Sequence, residues 1–211
     1  MDKTISIATL PLRGGHPSLD FANTVDSRRG RWGPDVLVSY GDLLQWSQQA
    51  RVLKPDQIES LSKLASSDLD GTTAALIRAK HLREAIYDVF SALAGERKAP
   101  ERALHVLRKE YLTAHATRAL TVNRDAIAWE WPDAVGLDAV THRLAVEAVD
   151  LLTSPRARRV KECFGRNCGW LFLDTSRNGS RRWCSDAVCG SLSRVTRHRS
   201  QARAKPSCEE A

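Results

Sequence analysis

Cys163 and Cys168 have four residues between them, Cys184 and Cys189 have four more, and fifteen residues separate the two pairs. Two close thiol pairs joined by a hairpin-sized insert can place four sulfurs at the corners of one tetrahedron, the arrangement a structural zinc ion takes. Reach dictates the spacing. A tight loop lets both members of a pair point at one ion, and Gly165 with Asn167 supplies the permissive backbone such a knuckle needs. Between the pairs, residues 170–174 (WLFLD) read as a short apolar strand and residues 175–180 as a turn with Asn178 and Gly179 at its tip. Residues 181–183 read as the return strand that delivers Cys184, and Ser185 and Asp186 as N-cap candidates of a helix running through Cys189 to about Arg203.

Knuckle, hairpin and helix predict a treble-clef-like four-cysteine zinc finger holding one structural Zn2+, with Cys163, Cys168, Cys184 and Cys189 as ligands. Four thiolates would fill the coordination sphere and leave no position for water, so hydrolysis at the metal is not expected and the chain is not read as an enzyme. The other reading of the cysteines, free thiols or a disulfide framework, fits less well with an opening that shows no export signal; a reducing, cytoplasmic setting is expected. Cys208 stands in a polar tail, residues 206–211, and is read as a free surface thiol without a role.

Charge divides the chain at the same place. Residues 1–155 hold 19 Lys or Arg against 20 Asp or Glu, while residues 156–211 hold 13 against 5. A basic stripe on a small zinc module is the electrostatic footprint of nucleic-acid binding, because each neutralised phosphate releases condensed counterions. Docking on an acidic partner is the competing reading of that charge. Candidate DNA contacts are Arg181, Arg182 and Trp183 on the insert, and Arg194, Arg197, His198 and Arg199 along the last helix. Arg194, Arg197 and His198 share a helical face and Arg199 lies nearer its side.

The stretch CGWLFLDTSRNGSRRWCSDAVCG, residues 168–190, resembles the CGNR zinc-finger family. That family closes bacterial proteins whose helical N-terminal domain, called ABATE, is described as a stress-induced transcription regulator; here LDFANT, residues 19–24, is similar to that domain's opening motif. The resemblance implies a regulator that reads DNA with the finger and senses a small molecule or protein partner with the helical part. One departure matters: Ser191 and Leu192 stand where the family name implies Asn and Arg, and Arg194 covers for that arginine only in part, since two helical positions turn a side chain through about 200°.

The expected class is therefore mainly α with a small β-hairpin: a helical unit over residues 1–155, the finger over 156–205, and the tail. Residues 1–15 read as an extended arm. From Pro17 the chain turns helical, with Leu19, Ala22, Asn23 and Asp26 on one face, which makes Asp20, Asn23 and Thr24 candidates to line a ligand pocket. Residues 28–34 (RRGRWGP) read as a solvated basic loop. Residues 40–52 and 55–65 read as two short antiparallel helices. The longest helix is expected to open near residue 70 with Asp70 as N-cap and to carry Ala75, Leu76, Ala79, Leu82, Ile86, Val89, Phe90 and Leu93 as its apolar stripe. Arg83 on that helix is a candidate to pair with Asp20 at the pocket edge.

Residues 100–116 and 137–152 read as further helices. Between them, residues 120–131 read as a hairpin around residues 123–125, with Ile127, Trp129 and Trp131 on one face and Trp129 a candidate pocket wall. No apolar run approaches the ~20 residues of a membrane helix. Dimerisation is a common way for a small DNA-binding module to gain affinity, although no dimer seam stands out in the sequence. A second reading keeps the finger as a scaffold for RNA or protein contacts. An enzyme built on Asp20, Asn23 and Arg83 has no triad, phosphate loop or open metal site behind it.

Overall fold

In a computed structural model the chain is described at residues 6–30, 33–123 and 126–204. The elements in order are α1 (Pro17–Ala22), α2 (Tyr40–Gln49), α3 (Pro55–Ser67), α4 (Leu69–Ala94), α5 (Glu101–Ala116), β1 (Ala119–Asn123), β2 (Ala126–Glu130), α6 (Ala139–Thr153), β3 (Val160–Glu162), β4 (Leu171–Leu173) and α7 (Ser191–Ala204). Helices dominate, and the strands form two separate antiparallel pairs, β1 with β2 and β3 with β4.

Local chemistry accounts for the helix starts. Ser39 accepts a hydrogen bond from the Asp42 N–H while the Asp42 carboxylate takes the Ser39 N–H, a capping box that opens α2. Pro55 occupies the first turn of α3, where its missing N–H costs nothing. Asp68, not Asp70, caps α4 by accepting from the Gly71 N–H at 2.8 Å, so the long helix is capped two residues earlier than expected. Most of its expected apolar stripe is buried, Ala75, Ala79, Leu82, Ile86, Val89 and Phe90, but Leu76 is half-buried and Leu93, at the last turn, is exposed.

α4 packs on α1, α2, α3, α5, α6 and both strands of the second sheet, which makes it the spine of the molecule. One buried apolar cluster runs from Leu19, Phe21 and Trp46 through Leu82, Ile86 and Leu144 into Val160, Leu171 and Phe172. Phe21 and Trp46 meet with ring centroids 5.0 Å apart. The finger is therefore built onto the same core as the helices.

Three expectations fail here. The lead-in is not an extended arm throughout, since Ile7–Thr9 form a 3-10 turn that buries Ile7 and is followed by buried Leu10. α1 ends at Ala22 with Asn23 as its C-cap, so Asn23 and Asp26 do not continue its face, and the Asn23 side chain bonds the Leu171 carbonyl instead. The basic loop is not simply solvated. Arg28 reaches the Glu84 carboxylate and the Ala22 carbonyl with its guanidinium over the Tyr87 ring, and Arg29 bonds Glu162 at 2.7 Å. Arg31 and Trp32 of that loop lie outside the described residues, as do Arg124 and Asp125 at the hairpin tip and the tail with Cys208.

Candidate metal centre and nucleic-acid interface

The first ligand pair sits in the loop of the second hairpin. β3 and β4 pair in the register Val160 with Leu173, Lys161 with Phe172 and Glu162 with Leu171, and the connection between them is the knuckle itself. The Cys163 N–H closes that loop on the Trp170 carbonyl at 2.8 Å, and the Cys168 N–H bonds the Gly165 carbonyl at 3.1 Å. The expected return strand over residues 181–183 does not form. β4 takes its partner from upstream, and residues 181–183 instead run past the knuckle, where the Phe164 N–H bonds the Arg182 carbonyl and sets Cys184 beside the first pair. Cys189 follows in one turn of π-type helix, Asp186–Gly190, that leads directly into α7.

Asp174 organises the segment between the pairs. Its carboxylate accepts from the Ser176 N–H at 2.9 Å, the Ser176 hydroxyl at 2.6 Å, the Arg181 N–H at 3.1 Å and the Lys161 ammonium at 2.8 Å. Burial by itself would raise its pKa; the bonds from Lys161, Ser176 and Arg181 outweigh burial and hold it well below the usual carboxylate range. Arg181 lies over the Phe172 ring and donates to the Trp183 and Cys184 carbonyls. The signal for Asp174 was present in the sequence as an Asp-x-Ser turn, which bonds its own backbone two residues on.

The four Sγ atoms lie within 4.8 Å of one another, with Cys168 to Cys184 at 3.6 Å and Cys184 to Cys189 at 3.7 Å. A tetrahedral zinc with ordinary Zn–S bonds spaces its sulfurs about 3.8 Å apart, so the donor set fits one ion. The Cys163 thiol is the easiest to ionise because Cys168 and Cys184 donate to its sulfur, and the same bonds push both donors above the ordinary thiol range. A bound divalent cation allows all four to ionise. Gly165 lets the knuckle close this tightly: its N–H points at the Cys163 sulfur at 3.4 Å, and a Cβ would come within 3.2 Å of the Cys189 sulfur. Zinc held by these four residues supplies a structural cross-link.

The helical part grips the knuckle through its backbone. The Arg28 N–H donates to the Cys168 carbonyl at 2.8 Å, the Tyr87 hydroxyl to the Gly169 carbonyl at 3.1 Å, and the Ser27 hydroxyl to the Asn167 carbonyl. Gly169 has φ of +68°, and a Cβ there would sit 2.9 Å from the Arg29 side chain and 3.0 Å from that of Arg28. Asn23 makes the most specific contact. Its Oδ1 accepts from the Leu171 N–H at 2.9 Å and its Nδ2 donates to the Leu171 carbonyl at 2.8 Å, so one side chain pairs with β4 as a neighbouring strand would. Asn23→Ala leaves both backbone groups buried without partners and is expected to cost about 2 kcal/mol in urea unfolding. A change below about 0.5 kcal/mol would remove Asn23 from the role assigned to it.

The expected ligand pocket does not assemble. Arg83 pairs with Asp35 at 2.7 and 2.9 Å, with Glu84 at 2.8 Å and with the Thr24 hydroxyl at 3.2 Å, and not with Asp20. Asp20 instead accepts from the Gly14 N–H at 2.6 Å, and burial pushes it up to about 6. Asp20, Asn23, Thr24 and Arg83 are buried and committed to structural bonds, while Trp129 stands 47% exposed on the first hairpin against His115. Asp35, the partner of Arg83, was missed because it is 48 residues away in sequence with no periodicity linking the two.

A cavity of about 640 Å³ lies between the knuckle, the Asp26–Ser27 turn and α7. Arg13, Arg166 and Arg197 line it and have no carboxylate partner among the described residues. Zinc with four thiolates carries a net negative charge that these cations offset. The candidate DNA contacts separate by their commitments. Arg181 is held by finger carbonyls, Arg182 lies over Phe164 and Trp183, and Arg194 is paired with Asp186 at 3.0 Å. Arg197, His198 and Arg199 are exposed on α7 and, among the described residues, form no ion pair.

A family model described as a "putative stress-induced transcription regulator", ABATE, matches residues 15–155, and one described as the CGNR zinc finger matches residues 159–202. No curated protein matches the chain. Among the described residues no helix is long and apolar enough to cross a membrane. With the first match covering more than half of the chain and the second falling on the four-thiol centre, the chain belongs to the ABATE family and ends in a CGNR zinc finger.

Proposed function

We propose that the protein is a DNA-binding transcription regulator in which α7 enters the major groove and the helical part is the sensing half. The observation that carries this reading is α7 itself. It leaves the zinc centre as an exposed helix with Arg194, Arg197, His198 and Arg199 on its surface and no Asp or Glu in its length. A metal-anchored helix of that composition suits phosphate and base-edge contacts. Arg197 borders the cavity and also lines a shallow groove with Arg194 and His198, while Arg199 is turned about 200° from Arg197 around the helix, which allows one row to track the backbone and another to reach base edges. The contacts from Ser27, Arg28 and Tyr87 to the knuckle carbonyls supply the route by which a change in the helical part would reach the finger.

Duplex binding followed by fluorescence anisotropy over a salt series tests this. Arg197→Ala combined with Arg199→Ala is expected to weaken binding at least tenfold and to flatten the slope of log K against log salt by about 2. Unchanged affinity and slope would take α7 out of the interface. Equal affinity for every duplex sequence would make the finger a non-specific electrostatic binder.

A further inference from the structure

The first hairpin carries an apolar face that nothing among the described residues covers. In its register Leu120 pairs with Trp129 and Val122 with Ile127, so the four side chains lie together on one side of the two strands. Leu120 is 60% exposed, Val122 73%, Ile127 69% and Trp129 47%. An isolated two-stranded hairpin is marginal in water, and its two edges invite pairing. The helical part holds it by one corner: the Arg118 guanidinium lies over the Trp129 and Trp131 rings and donates to the Trp129 carbonyl, and His115 meets Trp129 edge-on.

We propose that this face is the contact between two copies of the chain, packed hairpin on hairpin about a twofold axis. Area and charge favour a second copy. The four side chains expose on the order of 400 Å² of apolar surface, more than scattered surface residues account for. Two such faces together supply roughly 800 Å², about the apolar share of an interface near the lower end of the stable range, ~1,200 Å² in total. The described strand residues on the apolar side, Leu120, Val122, Ile127 and Trp129, carry no charge, and the Arg118 guanidinium beside them is stacked on Trp129 at the rim, so a face meeting itself brings no like charges onto the axis. Trp129, with Arg118 stacked at its rim, has the make-up of an interface anchor. Such a dimer would present two α7 helices, and its formation does not depend on whether those helices bind DNA.

Sedimentation velocity on the full zinc-loaded chain at tens of micromolar tests the proposal, because an interface of this size holds in that range. The expected species is twice the 23.4 kDa of one chain, dissociating on dilution. Val122→Glu with Ile127→Glu is expected to weaken the dimer at least 100-fold by burying carboxylates across the axis. Ala128→Glu points to the opposite side of β2 and is expected to leave the dimer intact. Helical circular dichroism and zinc content confirm that each variant is folded. A wild-type chain that stays at 23.4 kDa assigns the face to some other partner and overturns the proposal. A double variant that dimerises like wild type, or an Ala128→Glu variant that falls apart as readily, also overturns it.

Discussion

Cys184→Ser is expected to release the zinc and unfold the finger. Cys184 is 2% exposed, its sulfur lies within 3.7 Å of those of Cys168 and Cys189, and its carbonyl is held by Arg181. A serine hydroxyl is a hard, protonated donor and does not replace a thiolate. Structural zinc binding contributes on the order of 10 kcal/mol in small modules, so losing one of four ligands removes a large part of what holds residues 163–189 in place. The damage is expected to spread, because Leu171, Phe172 and Cys163 lie in the same buried cluster as α1 and α4. Metal release by a chromophoric chelator, with loss of near-ultraviolet circular dichroism, reads both effects. A variant that keeps one zinc per chain at wild-type affinity refutes the ligand assignment.

Arg83→Met is expected to cost about 4 kcal/mol, because it leaves the half-buried carboxylate of Asp35 without its planar two-point partner. The Arg83 side chain is only 2% exposed; its own desolvation works against ionisation, and the bonds to Asp35 and Glu84 more than offset this, keeping it charged. Lys80 remains 3.2 Å from Asp35 and softens the loss. Arg83→Lys is expected to recover only part of the stability, since an ammonium cannot span both Asp35 oxygens and the Thr24 hydroxyl together. Urea unfolding of both variants checks the ordering. A cost below about 1 kcal/mol for Arg83→Met would show that the pair is dispensable.

Much of the architecture was readable because its signals are short-ranged. The ligand spacing gave the four-thiol cluster, Pro55 marked a helix start, and the apolar period from Ala75 to Phe90 gave the spine. The β1–β2 hairpin was readable for the same reason, since its strands are neighbours in sequence and alternate plainly. Two errors share one cause. Residues 170–174 announce a strand, but alternation does not say which strand lies beside it, and β4 pairs with β3 upstream instead of with residues 181–183. Arg83 was expected to meet a carboxylate and does, yet it meets Asp35 and Glu84 and not Asp20.

By itself the sequence determined where the metal goes, which segment carries the positive charge and which stretches are helical, because ligand reach, charge count and side-chain period are all properties of nearby residues. Only the tertiary structure decided what the polar groups do. Asn23 finds Leu171 across 148 residues and becomes a surrogate strand, Ser27, Arg28 and Tyr87 become the clasp on the knuckle, and Arg181 becomes a strut inside the finger. A buried polar group takes whichever partner the packed core brings within about 3 Å, and that choice exists only once the core has formed.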